Sequence, residues 1–173
     1  MSDKIKKGLV IVYYGEGEGK TSAALGRAMR ALGRGWRVAV VQFMKGRKTG
    51  EYLFLKKLGV EIYLTGPKFF LIKKKDLPLH LKLAKNGLKI ALKIIKEKKV
   101  KLLILDEILW ALKYRLFAEK EIVEIIKNRG SVHLILTGGI LPPSLKKYAD
   151  LVTEFKEVKH PLKKIGTIPG LDY

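Results

Sequence analysis

An apolar run, Leu9-Val10-Ile11-Val12-Tyr13, leads into Gly15-Glu16-Gly17-Glu18-Gly19-Lys20-Thr21 and then Ser22-Ala23-Ala24-Leu25-Gly26-Arg27-Ala28-Met29-Arg30. In that order these read as a buried strand, a glycine loop closed by Gly-Lys-Thr, and a helix, the pattern of a phosphate cradle. Glycines let backbone N–H groups converge on phosphate oxygens, and the new helix adds its positive end. Lys20 is placed to hold terminal phosphate charge, and the Thr21 hydroxyl to reach a magnesium ion. The strict G-x-x-x-x-G-K-[ST] pattern fails at one position, because Tyr14 stands where its first glycine belongs. Gly15, Gly17 and Gly19 supply the flexibility in another register. A plain glycine turn between strand and helix would share these flanks; Gly-Lys-Thr in this context separates the two readings.

A second apolar run, Leu102-Leu103-Ile104-Leu105, ends in Asp106-Glu107. Alone, that is an ordinary strand end. Downstream of a phosphate loop it is the Walker B arrangement, in which a carboxylate holds magnesium, directly or through water, near the threonine hydroxyl. Trp110 and Tyr114 follow on the next predicted helix, Ile108 to Phe117, and so fall close to the same place.

Between and beyond these runs the periodicity alternates. Strands are predicted at Arg37–Met44, Val60–Leu64, Val132–Thr137 and Asp150–Phe155, and helices at Glu51–Leu58, Leu79–Lys98, Ala118–Arg129 and Pro142–Tyr148. On the longest helix Ala84, Leu88, Ala91, Leu92 and Ile95 share one face. Thr65 to Pro78 has no clear period and carries Phe69, Phe70 and the run Lys73-Lys74-Lys75, so it is a candidate binding loop. The tail, Lys156 to Tyr173, is predicted irregular. Repeated β-α units with apolar strands imply a mostly parallel sheet covered by helices on both faces. Ligands then bind where the strands end at their carboxyl side. Gly15–Thr21, Lys45-Gly46, Asp106-Glu107 and Thr137-Gly138 all fall at such ends.

The 173 residues suggest one nucleotide-binding domain, and no apolar run approaches the roughly 20 residues that cross a bilayer. Absence of cysteine excludes disulfides, thiolate metal sites and cysteine nucleophiles. The basic first residues lead straight into a strand, unlike a signal peptide, so a cytoplasmic location is expected. The net charge of +20 is compatible with nucleic acid, with nucleotides, or with solvated lysine faces. The lysines are dispersed and seldom interleaved with aromatics, which argues against direct nucleic-acid function.

Several stretches together resemble the P-loop ATP:cob(I)alamin (corrinoid) adenosyltransferases. They are Gly15 to Ala24, Val40-Val41-Gln42-Phe43-Met44-Lys45-Gly46, Leu105-Asp106-Glu107-Ile108, Leu136-Thr137-Gly138, Ala149 to Glu154, Val158-Lys159-His160-Pro161 and the terminal Gly170-Leu171-Asp172-Tyr173. They run in family order over nearly the whole chain. The resemblance implies a three-layer RecA-like P-loop fold, a homodimer, ATP and a reduced corrinoid as substrates, Mg²⁺, and a flavoprotein reductase as electron donor. The implied reaction is attack of Co(I) on the 5′ carbon of ATP with triphosphate leaving. By position it makes Lys20, Thr21 and Glu107 catalytic. It assigns ATP binding to Gly15, Glu16, Gly17, Glu18, Gly19, Lys20, Thr21, Ser22 and Arg30, and the metal to Thr21, Asp106 and Glu107. Phe69, Phe70 and Trp110 become the aromatics facing the corrinoid. The chain departs from the family at Glu16 and Glu18, where asparagine and lysine are usual, and at Gly139, where an arginine is usual. A P-loop ATPase or kinase of other specificity, and a basic ATP- or nucleic-acid-binding module, are the competing readings.

Overall fold

Alternation along the strands decides the layers. In β1 (Val10–Tyr14), Val10 and Val12 join one apolar cluster and Ile11 and Tyr13 the other, and all four are buried. A strand buried on both sides requires helices on both sides. The computed structural model, which describes residues 7–69, 74–159 and 166–171, has this three-layer form. Phe70, Lys73, His160, Pro161, Asp172 and Tyr173 lie outside the described residues.

Along the chain β1 is followed by α1 (Lys20–Gly33), β2 (Val38–Phe43), α2 (Gly50–Lys57), β3 (Glu61–Thr65), α3 (Leu77–Glu97), β4 (Leu102–Asp106), α4 (Ile108–Lys113), α5 (Glu119–Asn128), β5 (His133–Gly138), α6 (Pro143–Lys146) and β6 (Leu151–Glu154). The strands pair in the order β3-β2-β4-β5-β1-β6, every pair parallel. This is the expected RecA-like arrangement. One strand, β5, separates the strand that feeds the glycine loop from the strand that ends in the two carboxylates.

The faces are covered unequally. Buried side chains of α3, α4, α5 and α6 pack on one face, while α1 and α2 pack on the other. Helix α1 meets the sheet through Ala24, Ala28 and Ala31, all buried. Small side chains let its axis approach closely, which sets its first turn against the ends of the central strands. Most predicted boundaries move by a residue or two and the end of α4 by four; two of these shifts have a local cause. Helix α3 starts at Leu77 rather than Leu79, because a proline in the first turn lacks only an N–H that would be unpaired there. Helix α4 stops at Lys113, where Tyr114 caps it and Arg115 takes a positive φ of 56°. Among the described residues no helix is long and apolar enough to cross a membrane.

Replacing Ala28 by Leu would force extra methyl groups into this helix–sheet contact. Overpacking of this kind costs roughly 1–3 kcal/mol, so urea unfolding of Ala28→Leu should show a loss of that size.

Candidate active site at the carboxyl edge of the sheet

Asp106 ends β4 and is 1% exposed. A carboxylate so buried needs a donor at each lone pair, and the fold supplies four. The hydroxyls of Thr21 and Thr137 each donate to Oδ1 at 2.8 Å. Gln42 Nε2 donates to Oδ2 at 3.1 Å, and Lys45 Nζ donates to the same oxygen at 3.0 Å. Burial by itself would raise the Asp106 pKa, but Lys45 and the two threonine hydroxyls outweigh it and hold the group below the usual carboxylate range. Lys45 answers in kind: burial works against its charge, yet Asp106 beside it raises its pKa above the ordinary lysine value.

Glu107 follows in the left-handed region, at φ 60°, and its N–H donates to Thr137 Oγ1 at 2.8 Å. Burial, then the negative charge of Asp106, pushes its carboxyl up to about 7. Such a carboxyl is relieved by a cation. Mg²⁺ takes oxygen ligands, typically one or two carboxylates with waters and phosphates. Glu107 and the Thr21 hydroxyl, which line one cavity, match that donor set; no cluster of three or more acidic, histidine or cysteine ligands occurs among the described residues.

The glycine loop lies against the ends of two neighbouring strands. The Gly15 N–H donates to the carbonyls of Gly138 and Gly139, both at 3.1 Å, and the Gly17 N–H donates to Phe155 O at 3.0 Å. A Cβ on Gly15 would meet Phe155 O at 2.2 Å, and one on Gly17 would meet Lys156 C at 2.6 Å. These two glycines therefore serve close packing against the exit of β6. Lys20 is buried, and its ammonium donates to Gly17 O across the loop. The first-turn N–H groups of Lys20, Thr21 and Ser22 have no intrahelical acceptor.

A cavity of about 660 Å³ opens over that turn, lined by Glu18, Gly19, Lys20, Thr21, Ser22, Leu25, Lys45, Gly50, Glu51, Glu107, Gly170 and Leu171. The predicted residues Glu18, Gly19, Lys20, Thr21, Ser22 and Glu107 thus meet in one place, with Asp106 beneath them. Gly15, Glu16 and Gly17 do not line the cavity, and Glu16 is exposed. Arg30 is not brought there either. It sits ten residues along α1 from Lys20, about 15 Å at 1.5 Å per residue, and lines a separate groove with Arg27, Arg34 and Trp36.

The aromatics also part company. Phe69 follows β3, is 45% exposed and meets His80 edge to face at 6.0 Å. Trp110 stacks with Tyr114 at 6.1 Å and carries Lys113 Nζ 4.4 Å from its ring centre. Its ring covers Gly139 so closely that a Cβ there would meet Trp110 Cζ2 at 2.3 Å. The ends of β3 and β5 are three strand spacings apart, about 14 Å, so Phe69 and Trp110 flank the edge without touching. The sequence reading assigned no role to Gln42, Lys45, Glu51 or Thr137. Their signal was positional: Lys45 and Thr137 were placed at the same strand ends, and Gln42 lies two residues before Met44 on a strand otherwise apolar.

The model of the family described as ATP:corrinoid adenosyltransferase BtuR/CobO/CobP matches residues 6–173. A corrinoid adenosyltransferase of Pseudomonas aeruginosa is 34% identical over 161 residues, 91% of this chain and 79% of the relative. One from Sinorhizobium is 33% identical, covering 91% of this chain and 76% of its own. One from Escherichia coli K12 is 31% identical over 97% of this chain and 87% of its own.

Thr137 is the hinge of the acidic network, donating to one residue and accepting from the next. Thr137→Val keeps the shape but leaves the Glu107 N–H without its acceptor and Asp106 short of one donor. An unsatisfied buried group costs about 1–3 kcal/mol, which chemical denaturation should record for this variant.

Proposed function

The chain belongs to the ATP:corrinoid adenosyltransferase family, and we propose that its cavity holds ATP by the triphosphate with the 5′ carbon turned towards a reduced corrinoid. The Co(I) electron pair forms the cobalt–carbon bond, the bond from C5′ to the triphosphate oxygen breaks, and that oxygen leaves with the pair. Co(I) is itself a strong nucleophile, so the protein need not supply a base. Its tasks are to orient the two substrates and to stabilise the departing anion.

The residues support those tasks. The first-turn N–H groups of α1 and the Lys20 ammonium meet the phosphates. Thr21 and Glu107 hold Mg²⁺, with Asp106 orienting the Thr21 hydroxyl through the hydrogen bond at 2.8 Å. When bound, the metal supplies positive charge to the triphosphate. Phe69 and Trp110, on either side of the edge, are the surfaces offered to the corrinoid. The observation that carries the reading is that Gly170 and Leu171 of the tail line the same cavity as Lys20 and Thr21. The family likeness therefore reaches the pocket from both ends of the chain, which a generic glycine loop would not do. A homodimer, a flavoprotein electron donor and a cytoplasmic setting complete the proposal.

Incubated with chemically reduced cobalamin and MgATP, the protein should yield a light-sensitive alkylcobalamin and one equivalent of intact triphosphate. Orthophosphate release without the cobalt–carbon product would overturn this function. In the same assay Lys20→Ala should lose MgATP affinity by about ten- to a hundredfold, the worth of one charge-assisted hydrogen bond.

A further inference from the structure

We propose that Lys45 is a second triphosphate-binding cation, gripping the leaving group from the side of the cavity opposite the glycine loop. The inference rests on the adenosyltransferase reading and adds a catalytic residue to it.

Its backbone is built to an unusual specification. Met44, just before it, takes a φ of 58°, in the left-handed region that few non-glycine residues occupy. The turn is then locked from behind. Gly66 N–H donates to Lys45 O at 3.0 Å. The two segments cross so tightly that a Cβ on Gly66 would lie 2.2 Å from Met44 C, and one on Gly46 would lie 2.4 Å from Gly66 O. Strain and a side-chain-free crossing together fix where the lysine starts.

The ammonium ends at the acidic centre, 3.0 Å from Asp106 Oδ2 and 3.7 Å from Glu51 Oε1. A counter-ion role alone does not account for this. Asp106 already receives three uncharged donors, and a purely structural cation would be enclosed with it. Lys45 instead keeps 29% of its side chain exposed and lines the cavity. An ammonium has three N–H donors. Asp106 takes one, so others remain for phosphate oxygens. Lys20 enters after β1 and Lys45 after β2, strands that flank the β4–β5 pair. The two ammoniums therefore stand on opposite sides of Asp106, and a polyphosphate lying over that carboxylate is held between them. As charge grows on the leaving oxygen, both attractions strengthen.

The test is titration calorimetry with inorganic tripolyphosphate in the absence of divalent metal, where the ammonium is read by itself. Lys45→Met should weaken that binding by about ten- to a hundredfold, Lys45→Arg should retain part of it, and adenosine binding should be unchanged. In the transferase assay kcat should fall with KM for the corrinoid unaltered. Should Lys45→Met lower the melting temperature by uncovering Asp106, the double variant Lys45→Met/Asp106→Asn is compared with Asp106→Asn, and the same loss of tripolyphosphate affinity is expected. Equal affinity in either comparison would make Lys45 a structural counter-ion and overturn the inference. Failure of the unaltered protein to form the cobalt–carbon product would instead overturn the proposed function.

Discussion

A single buried carboxylate organises this edge of the molecule. Asp106 accepts from Thr21 at the start of α1, Gln42 in β2, Lys45 just beyond β2, and Thr137 in β5. An ionised group taken out of water is tolerable only if such donors replace its hydration. Here the replacement comes from two other strand ends and the first helix. Those elements cannot shift independently without stripping a donor from the charge. Helix α1 and the neighbouring strands are thereby held in one register, and Glu107, hung from Thr137 by its N–H, is positioned as a consequence.

This explains why the layout was readable from the sequence and the wiring was not. The central strands β1, β2, β4 and β5 are short apolar runs buried almost throughout, so their existence follows from the sequence pattern alone. Lys20, Thr21 and Glu107 converge because a strand–loop–helix pattern determines where the loop must go. Lys45 and Thr137 could be assigned to the right edge by the same topology. Their contacts to Asp106 could not, because those depend on strand order. The placement of β5 between β1 and β4 brings Thr137 between the other two participants. Arg30 marks the opposite case. Position in a motif places it on the right helix, but helical rise carries it away from the cavity and into a groove with two other arginines.

The departures from the family pattern have local physical counterparts. Glu16 and Glu18 are both exposed, and only Glu18 lines the cavity. The glycine at position 139 leaves room for the Trp110 ring, which occupies the volume that a side chain at that position would need. That ring is an aromatic surface that carries Lys113 Nζ 4.4 Å from its centre. Positive charge is thus delivered to this edge from α4.

The two halves of the edge are also mechanically joined. The loop bearing Phe69 is tied to the Lys45 turn by Gly66 N–H donating to Lys45 O, and by Arg47 Nε donating to Lys68 O at 2.9 Å. At the Gly46–Gly66 crossing neither segment has room to slide past the other. The backbone that carries Phe69 is therefore tied to the turn that aims the Lys45 ammonium. A joint of this kind holds the two loops at one separation and does not leave it to two independently mobile segments, the kind of geometric control that orienting two reactants requires.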